Sequence, residues 1–390
     1  SLTLIKKNIG GFLLSAWWIW LPILAVALFF GSWLRYARLK YWREIPWILL
    51  EIKPPRTIHF SPKAAENIFS GLWGATFGTV STKVDKYLKG VIQDYFSLEI
   101  IGDGGEVRFF VRTPEKFKNL IEAQVYAQYS DAEINQVEDY TEALPPDIPN
   151  KDWDLWGTQL CLLKPDAYPI RTYRQFIDIV VQKEGSFIDP LSSLMEVLGK
   201  LQAGEQIWIQ ILIRPVDDDW RKKGEAILGK LTGKGAAKDK KKKGFWSGEI
   251  VGWVDAAKSV ARETISGKVE ETKISESKQD RPMPSIMQYL SPGEQEVVKA
   301  IEENLSKKGF ETKINLAYLG RTDIFSKVNA GALMGVFSQF SSLSLNGFRG
   351  DKKINTKAYY LFAKSRKAYK QRRFWRFLRT RSFWKKGFVL

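Results

Sequence analysis

The 390-residue chain has one cysteine, Cys161, and one histidine, His59. A single cysteine excludes an intramolecular disulfide and a cluster of thiolate metal ligands, and it is typical of a reducing compartment. A single histidine excludes a metal site built from several imidazoles. Cys161 lies in an apolar run that predicts a strand, so we expect an inert buried thiol. His59 lies in a surface connection, where we expect a solvated side chain.

A phosphate-binding loop is also missing. The nearest string, Gly229 to Gly235, is one residue short of the required spacing, lacks Ser or Thr after its lysine, and follows a helical pattern. Asp217–Asp219 could bind a divalent cation, but hard cations need carboxylates from more than one segment. Capping and the helix dipole explain three acids at a helix start more simply. We therefore expect no enzyme, no bound metal and no cofactor.

Acidic residues are missing from both ends of the chain. Residues 1–43 hold six basic residues and no acid, and residues 352–390 hold fourteen basic residues and no acid. The whole chain has a net charge of +17, so residues 44–351 are nearly balanced. A local excess of positive charge acts on the phosphates of lipid or nucleic acid more than on folding.

An uncharged run extends from Gly11 to Leu34. A membrane core of about 30 Å requires about 20 apolar residues, and a signal peptide has a shorter apolar region. The run therefore predicts a transmembrane helix over residues 12–34, in which Pro22 is tolerable. The expected membrane-interface residues are Trp17, Trp18, Trp20, Trp33, Arg35 and Arg38.

The flanking charges predict the orientation of that helix. Lys6 and Lys7 precede it, whereas four cations follow it within ten residues, at positions 35, 38, 40 and 43. The positive-inside rule places the C-terminal body in the cytoplasm, on a single-pass protein of the cytoplasmic (inner) membrane.

Residues 44–143 have the predicted order β-α-β-β-α-β. The helices begin where a capping residue precedes proline, and the strands are β-rich runs. The strands are Trp47–Ile52, Phe96–Ile101, Val107–Val111 and Glu133–Tyr140, and the helices begin at Ser61-Pro62 and Thr113-Pro114. Crossovers with both helices on one face predict a ferredoxin-like α+β module.

A Pro-rich linker, residues 144–153, precedes a second module, residues 154–365. Its predicted strands are Leu155–Lys164, Gln206–Val216, Glu311–Leu319 and Thr356–Ala363, and its helices begin at Asp189-Pro190, Asp217, Ser291 and Asp323. Ser291 to Glu294 has the spacing of a capping box. Residues 234–284 are expected to be a Lys-rich insertion, partly helical and mobile. The predicted fold class is α+β, with one transmembrane helix and two tandem ferredoxin-like modules.

Residues 366–390 form a basic aromatic C-terminal segment. Interleaved cations and aromatic rings suit an anionic lipid surface or nucleic acid bound through phosphates and stacking; a solvated linker is the third alternative. The candidate contact residues are Lys364, Arg366, Lys367, Lys370, Arg372, Arg373, Arg376, Arg379, Arg381, Trp375 and Trp384.

Four stretches together resemble a known family: Phe96–Tyr140, Glu205–Gly224, Gly293–Gly320 and Phe337–Phe348. They are similar to the N-terminal, membrane-anchored region of HerA/TraG-like DNA-translocating ATPases of type IV secretion and conjugation. The Walker motifs of that family are missing here, so the resemblance does not extend to ATP hydrolysis.

The resemblance implies an anchoring and assembly role in a DNA-translocation machine. The implied partners are membrane lipids, a secretion or conjugation ATPase (fused or separate), other subunits of the complex and, as a further expectation, nucleic acid. A homo-oligomer is also expected. The alternative is a stand-alone, membrane-tethered nucleic-acid-binding protein that uses the basic C-terminal segment.

Overall fold

The computed structural model describes residues 17–55, 63–78, 82–177, 190–232, 290–383 and 387–389. The predictions made for His59, for the Ser61-Pro62 cap and for the insertion 234–284 lie outside these ranges.

One antiparallel sheet connects the strands of the described residues. The strands are β1 (Trp47–Lys53), β2 (Phe96–Asp103), β3 (Glu106–Pro114), β4 (Glu133–Val137), β5 (Trp153–Leu162), β6 (Glu205–Pro215), β7 (Phe310–Arg321), β8 (Phe348–Gly350) and β9 (Phe388–Val389). They lie in the order β4-β1-β3-β2-β6-β7-β5-β8, and β9 pairs with the start of β7. Seven of the eight predicted strands are confirmed in position, within a few residues at each end.

Five of the predicted helices begin within a few residues of the expected places, Thr113-Pro114, Asp189-Pro190, Asp217, Ser291 and Asp323, whereas the described helices at 83–87, 173–177 and 363–380 were not predicted. The described helices are α1 (Trp17–Glu44), α2 (Lys63–Thr76), α3 (Lys83–Tyr87), α4 (Lys118–Tyr126), α5 (Tyr173–Ile177), α6 (Ser192–Gly199), α7 (Asp219–Leu231), α8 (Pro292–Leu305), α9 (Lys327–Ser338) and α10 (Ala363–Thr380). The capping box at Ser291 is confirmed, because the Ser291 hydroxyl and the Glu294 carboxylate each accept the other's backbone N–H.

The predicted fold class is wrong, because the structure has one continuous nine-stranded sheet where two tandem modules were expected. The sheet is continuous because β2 pairs with β6 from Phe96↔Ile213 to Asp103↔Gln206. Strand β6 is an inner strand, because it pairs with β2 on one side and with β7 on the other, and its residues Ile207, Trp208 and Ile209 are fully buried. The order of neighbours is nevertheless the same in the two sets of four strands. Strands β1–β4 lie in the order β4-β1-β3-β2, and strands β5–β8 lie in the corresponding order β8-β5-β7-β6.

The membrane predictions are also corrected. Helix α1 contains Pro22 and runs without a break into the cations before Glu44. Its described uncharged part, Trp17–Leu34, includes four tryptophans and falls short of the about 20 apolar residues that a membrane span requires. Among the described residues, no helix combines the length and the apolar character needed to cross a membrane. This finding overturns the spanning helix 12–34 and the single-pass inner-membrane location; residues 12–16 lie outside the described ranges.

The end of α1 packs against the residues that precede β2, where Ala37 is buried against Gly90 and the Trp42 indole donates to the Tyr95 hydroxyl at 3.0 Å. Of the expected interface residues, Trp18, Trp33 and Arg35 are exposed and Arg38 is half-buried. The structure describes the backbone but not the side-chain burial of Trp17 and Trp20.

Helices cover both faces of the sheet. On one face, Ile207 and Ile209 of β6 pack with Leu198 of α6 and Leu333 of α9. On the other face, Trp208 packs with residues of α10. Because strand side chains alternate between faces, α10 belongs to the core and is not a separate tail.

A second compact unit comprises Ala167–Pro169 and Asp218–Lys307, with residues 233–289 outside the described part. Within it, Gly224 of α7 lies against Leu305 of α8, whose carbonyl accepts from Arg221 Nε at 2.9 Å. The expected side-chain cap at Asp218 is not formed; its carboxylate pairs with Arg221 at 3.4 Å.

Candidate functional site

Helix α10 has one apolar face buried against the sheet. Phe374, Trp375 and Leu378 are buried, and Gln371 donates to Asp154 Oδ1 at 2.7 Å. A Cβ on Gly157 of β5 would collide with the ring of Phe374, so the helix approaches that strand as closely as glycine permits. The helix is therefore held in a fixed orientation.

Trp375 does not lie on a binding surface. It is only 1% exposed, its indole donates to the Pro146 carbonyl at 2.9 Å, and its ring lies 5.3 Å from that of Trp208. The interpretation of Trp375 as a lipid or nucleic-acid contact is wrong. The helical spacing of positions 371, 374, 375 and 378 is the signal that identifies the buried face.

The surface of α10 that the sheet leaves open carries most of the cations predicted for binding. Lys364, Arg366, Arg372, Arg373 and Arg376 are exposed, and Lys367, Lys370 and Arg379 are half-buried. Within this set, Lys367 is paired with Asp154 at 3.1 Å. The structure thus places most of the predicted basic residues on α10, on the parts of its surface that the sheet leaves open. Trp384 lies outside the described residues.

A cleft of about 220 Å³ lies between this face and the loop that precedes it. Its walls are Lys353, Ile354, Asn355, Arg366, Tyr369, Lys370, Arg373, Phe374 and Phe377. Four of these nine residues are cations, and none of the nine, all of which the structure describes, is acidic. Phosphate groups are the favoured ligands of such a recess, because arginine binds them through paired hydrogen bonds.

The segment 356–362 connects the cleft to the sheet. It was predicted to be a strand, and that prediction is wrong. Thr356 bonds through both its backbone N–H and its hydroxyl to Gly157, at 3.0 and 3.1 Å. Tyr360 and Phe362 then adopt left-handed backbone conformations, with φ of 71° and 55°, which a strand cannot contain.

Cations of α10 hold the backbone of this segment. Lys370 Nζ donates to the Lys357 carbonyl at 2.7 Å, and Arg366 Nη1 donates to the Tyr359 carbonyl at 3.3 Å. The aromatic and apolar side chains of the segment extend outward. Tyr360 is 90% exposed and Phe362 81% exposed, with Tyr359, Leu361 and Tyr369 also exposed.

Arg381, the last of the predicted contact residues that the structure describes, is fully buried. Its guanidinium donates to Glu99 from Nε at 2.9 Å and from Nη2 at 3.0 Å, and to Asp139 from Nη1 at 2.5 Å. Glu99 also accepts from the hydroxyls of Tyr140 and Ser97, both at 2.6 Å. The interpretation of Arg381 as a surface contact is therefore wrong; it attaches the end of α10 to β2.

Electrostatics reinforce this attachment. Burial alone opposes the charge of Arg381, but the negative charge of Glu99 and the hydrogen bonds with Asp139 raise its pKa well above the ordinary value. Burial, together with the negative charge of Glu99, raises the pKa of Tyr140. The Tyr140 hydroxyl therefore stays protonated and donates a hydrogen bond to Glu99. We call Arg381, Glu99, Asp139 and Tyr140 the buried ion cluster.

Acid is expected to weaken the buried ion cluster. Burial would raise the pKa of Asp139, but hydrogen bonds and charge from Arg381 outweigh burial and lower it below 3.8. The stabilisation from a lowered carboxyl pKa is present above the unfolded value and is lost as the pH falls through the folded value. We therefore expect the free energy of unfolding, measured by urea titration between pH 6 and about 3, to fall below about pH 4. The Asp139→Asn variant should show a smaller fall; an equal fall would contradict this assignment.

A larger cavity, about 640 Å³, is less suited to an anion. Arg214 in its wall is already paired with Glu311 at 2.6 Å, and Asp217 lines it as well. The described residues also contain no group of three or more His, Cys, Asp or Glu side chains placed to hold a metal ion. Cys161 is half-buried in β5.

Comparison with known proteins gives one family. A family model described as a domain of unknown function (DUF8128) matches residues 39–375. The matched range includes strands β1–β8, the cleft cations and the segment 356–362, and it ends before Arg381. A search of curated proteins gives no match.

Proposed function

The chain belongs to the DUF8128 family of domains of unknown function, and from its structure we propose that it is a non-catalytic docking module that binds nucleic acid. The binding surface is the cleft together with the exposed face of α10, which we call the basic surface. The observation that carries the proposal is the cation-lined cleft, where Lys353, Arg366, Lys370 and Arg373 converge without an acidic neighbour in the lining. Lysine and arginine contacts to phosphates supply most of non-specific nucleic-acid affinity.

The shape of the site favours a polyanionic strand over a membrane. A phosphodiester can enter a recess of about 220 Å³. A flat membrane surface would instead contact only the side chains that protrude around the recess. The cations also follow an 18-residue helix, which at about 1.5 Å per residue gives a row long enough to meet several phosphates.

The resemblance to HerA/TraG-like proteins supports a place for this module in a DNA-translocation machine. We propose that it assembles there, as a homo-oligomer, beside an ATPase that is fused or separate and with other subunits. In that arrangement the ATPase performs the chemistry and the DUF8128 chain holds the nucleic acid.

Neutralising the cleft is expected to weaken DNA binding strongly. The variant combines Lys353→Gln, Arg366→Gln, Lys370→Gln and Arg373→Gln in the full chain. Each phosphate contact contributes about 0.7–0.9 to the slope of log affinity against log salt, so the slope should decrease by about 3. Fluorescence anisotropy of labelled DNA over a salt series measures both the affinity and the slope.

The matched control replaces four exposed lysines elsewhere, Lys53, Lys151, Lys200 and Lys327, with glutamine. It removes the same charge as the cleft variant. Its salt slope should decrease by less than half as much as that of the cleft variant. Equal losses in the two variants would show that net charge alone binds DNA. Absence of binding by the unaltered chain at low salt would refute the proposed function.

A further inference from the structure

The exposed segment Tyr359–Phe362 lies directly beside the cleft, and its four side chains are between 64% and 90% exposed. We infer that this segment and Tyr369 form a stacking platform for unpaired bases, so that the chain binds single-stranded nucleic acid in preference to duplex. This inference rests on the proposed function and specifies its ligand.

The platform and the cleft share their supporting residues. Arg366 and Lys370 line the cleft and at the same time bond the carbonyls of Tyr359 and Lys357. Tyr369 also lines the cleft and is exposed. A phosphate in the cleft would therefore place its own base, or the next one, beside the exposed rings.

The backbone of the platform is held in an unfavourable conformation. Tyr360 and Phe362 both have positive φ, a region that bulky side chains rarely adopt. Such conformations persist where surrounding contacts fix them, and they concentrate at ligand sites. Here the Gly157–Thr356 bonds fix the start of the segment, and the bonds from Arg366 and Lys370 fix its course.

The chemistry of the platform selects unpaired bases. A duplex hides the faces of its bases within its own stack, whereas a single strand can place each base on an aromatic ring. The surrounding charge is positive: Lys352, Lys353 and Lys357 are exposed before the segment, and Lys364 and Arg366 after it. Positive charge around exposed rings complements a single strand, with phosphates outside and bases inward.

The test compares a labelled single strand of about 16 nucleotides with its duplex, both titrated with the full chain. The variant Tyr360→Asn with Phe362→Asn removes two rings, and asparagine tolerates positive φ, so the backbone course is kept. We expect single-strand affinity to fall at least about fivefold for each stacked base lost, with duplex affinity changed less than twofold. Leu343→Asn, which replaces a fully exposed apolar side chain of another loop, is the control and should leave both affinities unchanged.

The outcomes separate the inference from the proposed function. Equal affinity of the unaltered chain for strand and duplex, or an unchanged single-strand affinity in the asparagine variant, overturns the inference and leaves nucleic-acid binding intact. Failure to bind either nucleic acid refutes both. Vesicles of phosphatidylglycerol are the third arm. If the asparagine variant loses vesicle binding but keeps single-strand binding, the platform contacts lipid and the inference is overturned.

Discussion

Replacing Arg381 with methionine is expected to lower the free energy of unfolding by about 3–5 kcal/mol, because it leaves two buried or partly buried carboxylates without their cation. Glu99 is fully buried and would lose two charge-assisted hydrogen bonds, at 2.9 and 3.0 Å. Asp139 would lose its bonds as well. Chemical denaturation of the full chain measures the change.

Arg376→Met is the matched control, since Arg376 lies on the exposed side of the same helix. Its effect on stability should stay within about 0.5 kcal/mol. Combining Arg381→Met with Glu99→Gln and Asp139→Asn should recover much of the lost stability, because the uncompensated charges are then gone. If Arg381→Met alone changes stability no more than the control, the buried ion cluster does not hold α10 in place.

Replacing Trp375 with alanine is expected to be equally damaging, at about 3–5 kcal/mol. The indole is buried among Trp208, Leu378 and Phe374, and its N–H is bonded to Pro146. Truncation removes this packing and leaves a cavity that the rigid sheet cannot close. The loss is measured as a shift of the denaturation midpoint.

The control for this change is Tyr369→Ala, an exposed aromatic residue of the same helix. It should change stability by less than about 0.5 kcal/mol while it weakens single-strand binding. A stable Trp375→Ala protein that has lost only ligand binding would contradict the structure and restore the surface role that the sequence pattern suggested.

Local patterns in the sequence predicted most of the elements. Apolar alternation located β6 within one residue at each end, and the capping spacing at Ser291 located α8. These signals lie within a few neighbouring residues, where the period of apolar side chains determines helix or strand. The clustering of cations in α10 was also visible in composition alone.

Long-range pairing could not be predicted in the same way. Strands β2 and β6 are about a hundred residues apart, and either could pair with many apolar strands. Their pairing into one sheet is therefore determined by tertiary packing and not by the local sequence. The run Tyr359–Phe362 has side chains typical of strands, and its turn away from the sheet depends on contacts made by Arg366 and Lys370. Lys353 joins the cleft only because the loop folds back onto α10.

The contact between Gly157 and Phe374 has a consequence for substitutions at these two positions. Strand β5 and helix α10 touch where the glycine has no side chain, so any methyl group at 157 must displace the ring at 374. In this chain, Gly157→Ala is therefore expected to be tolerated better when Phe374 is replaced by a smaller side chain at the same time. The spacing between the sheet and α10 therefore depends on Gly157, which lies outside the cleft, and on Phe374, which is 2% exposed and forms part of the cleft wall.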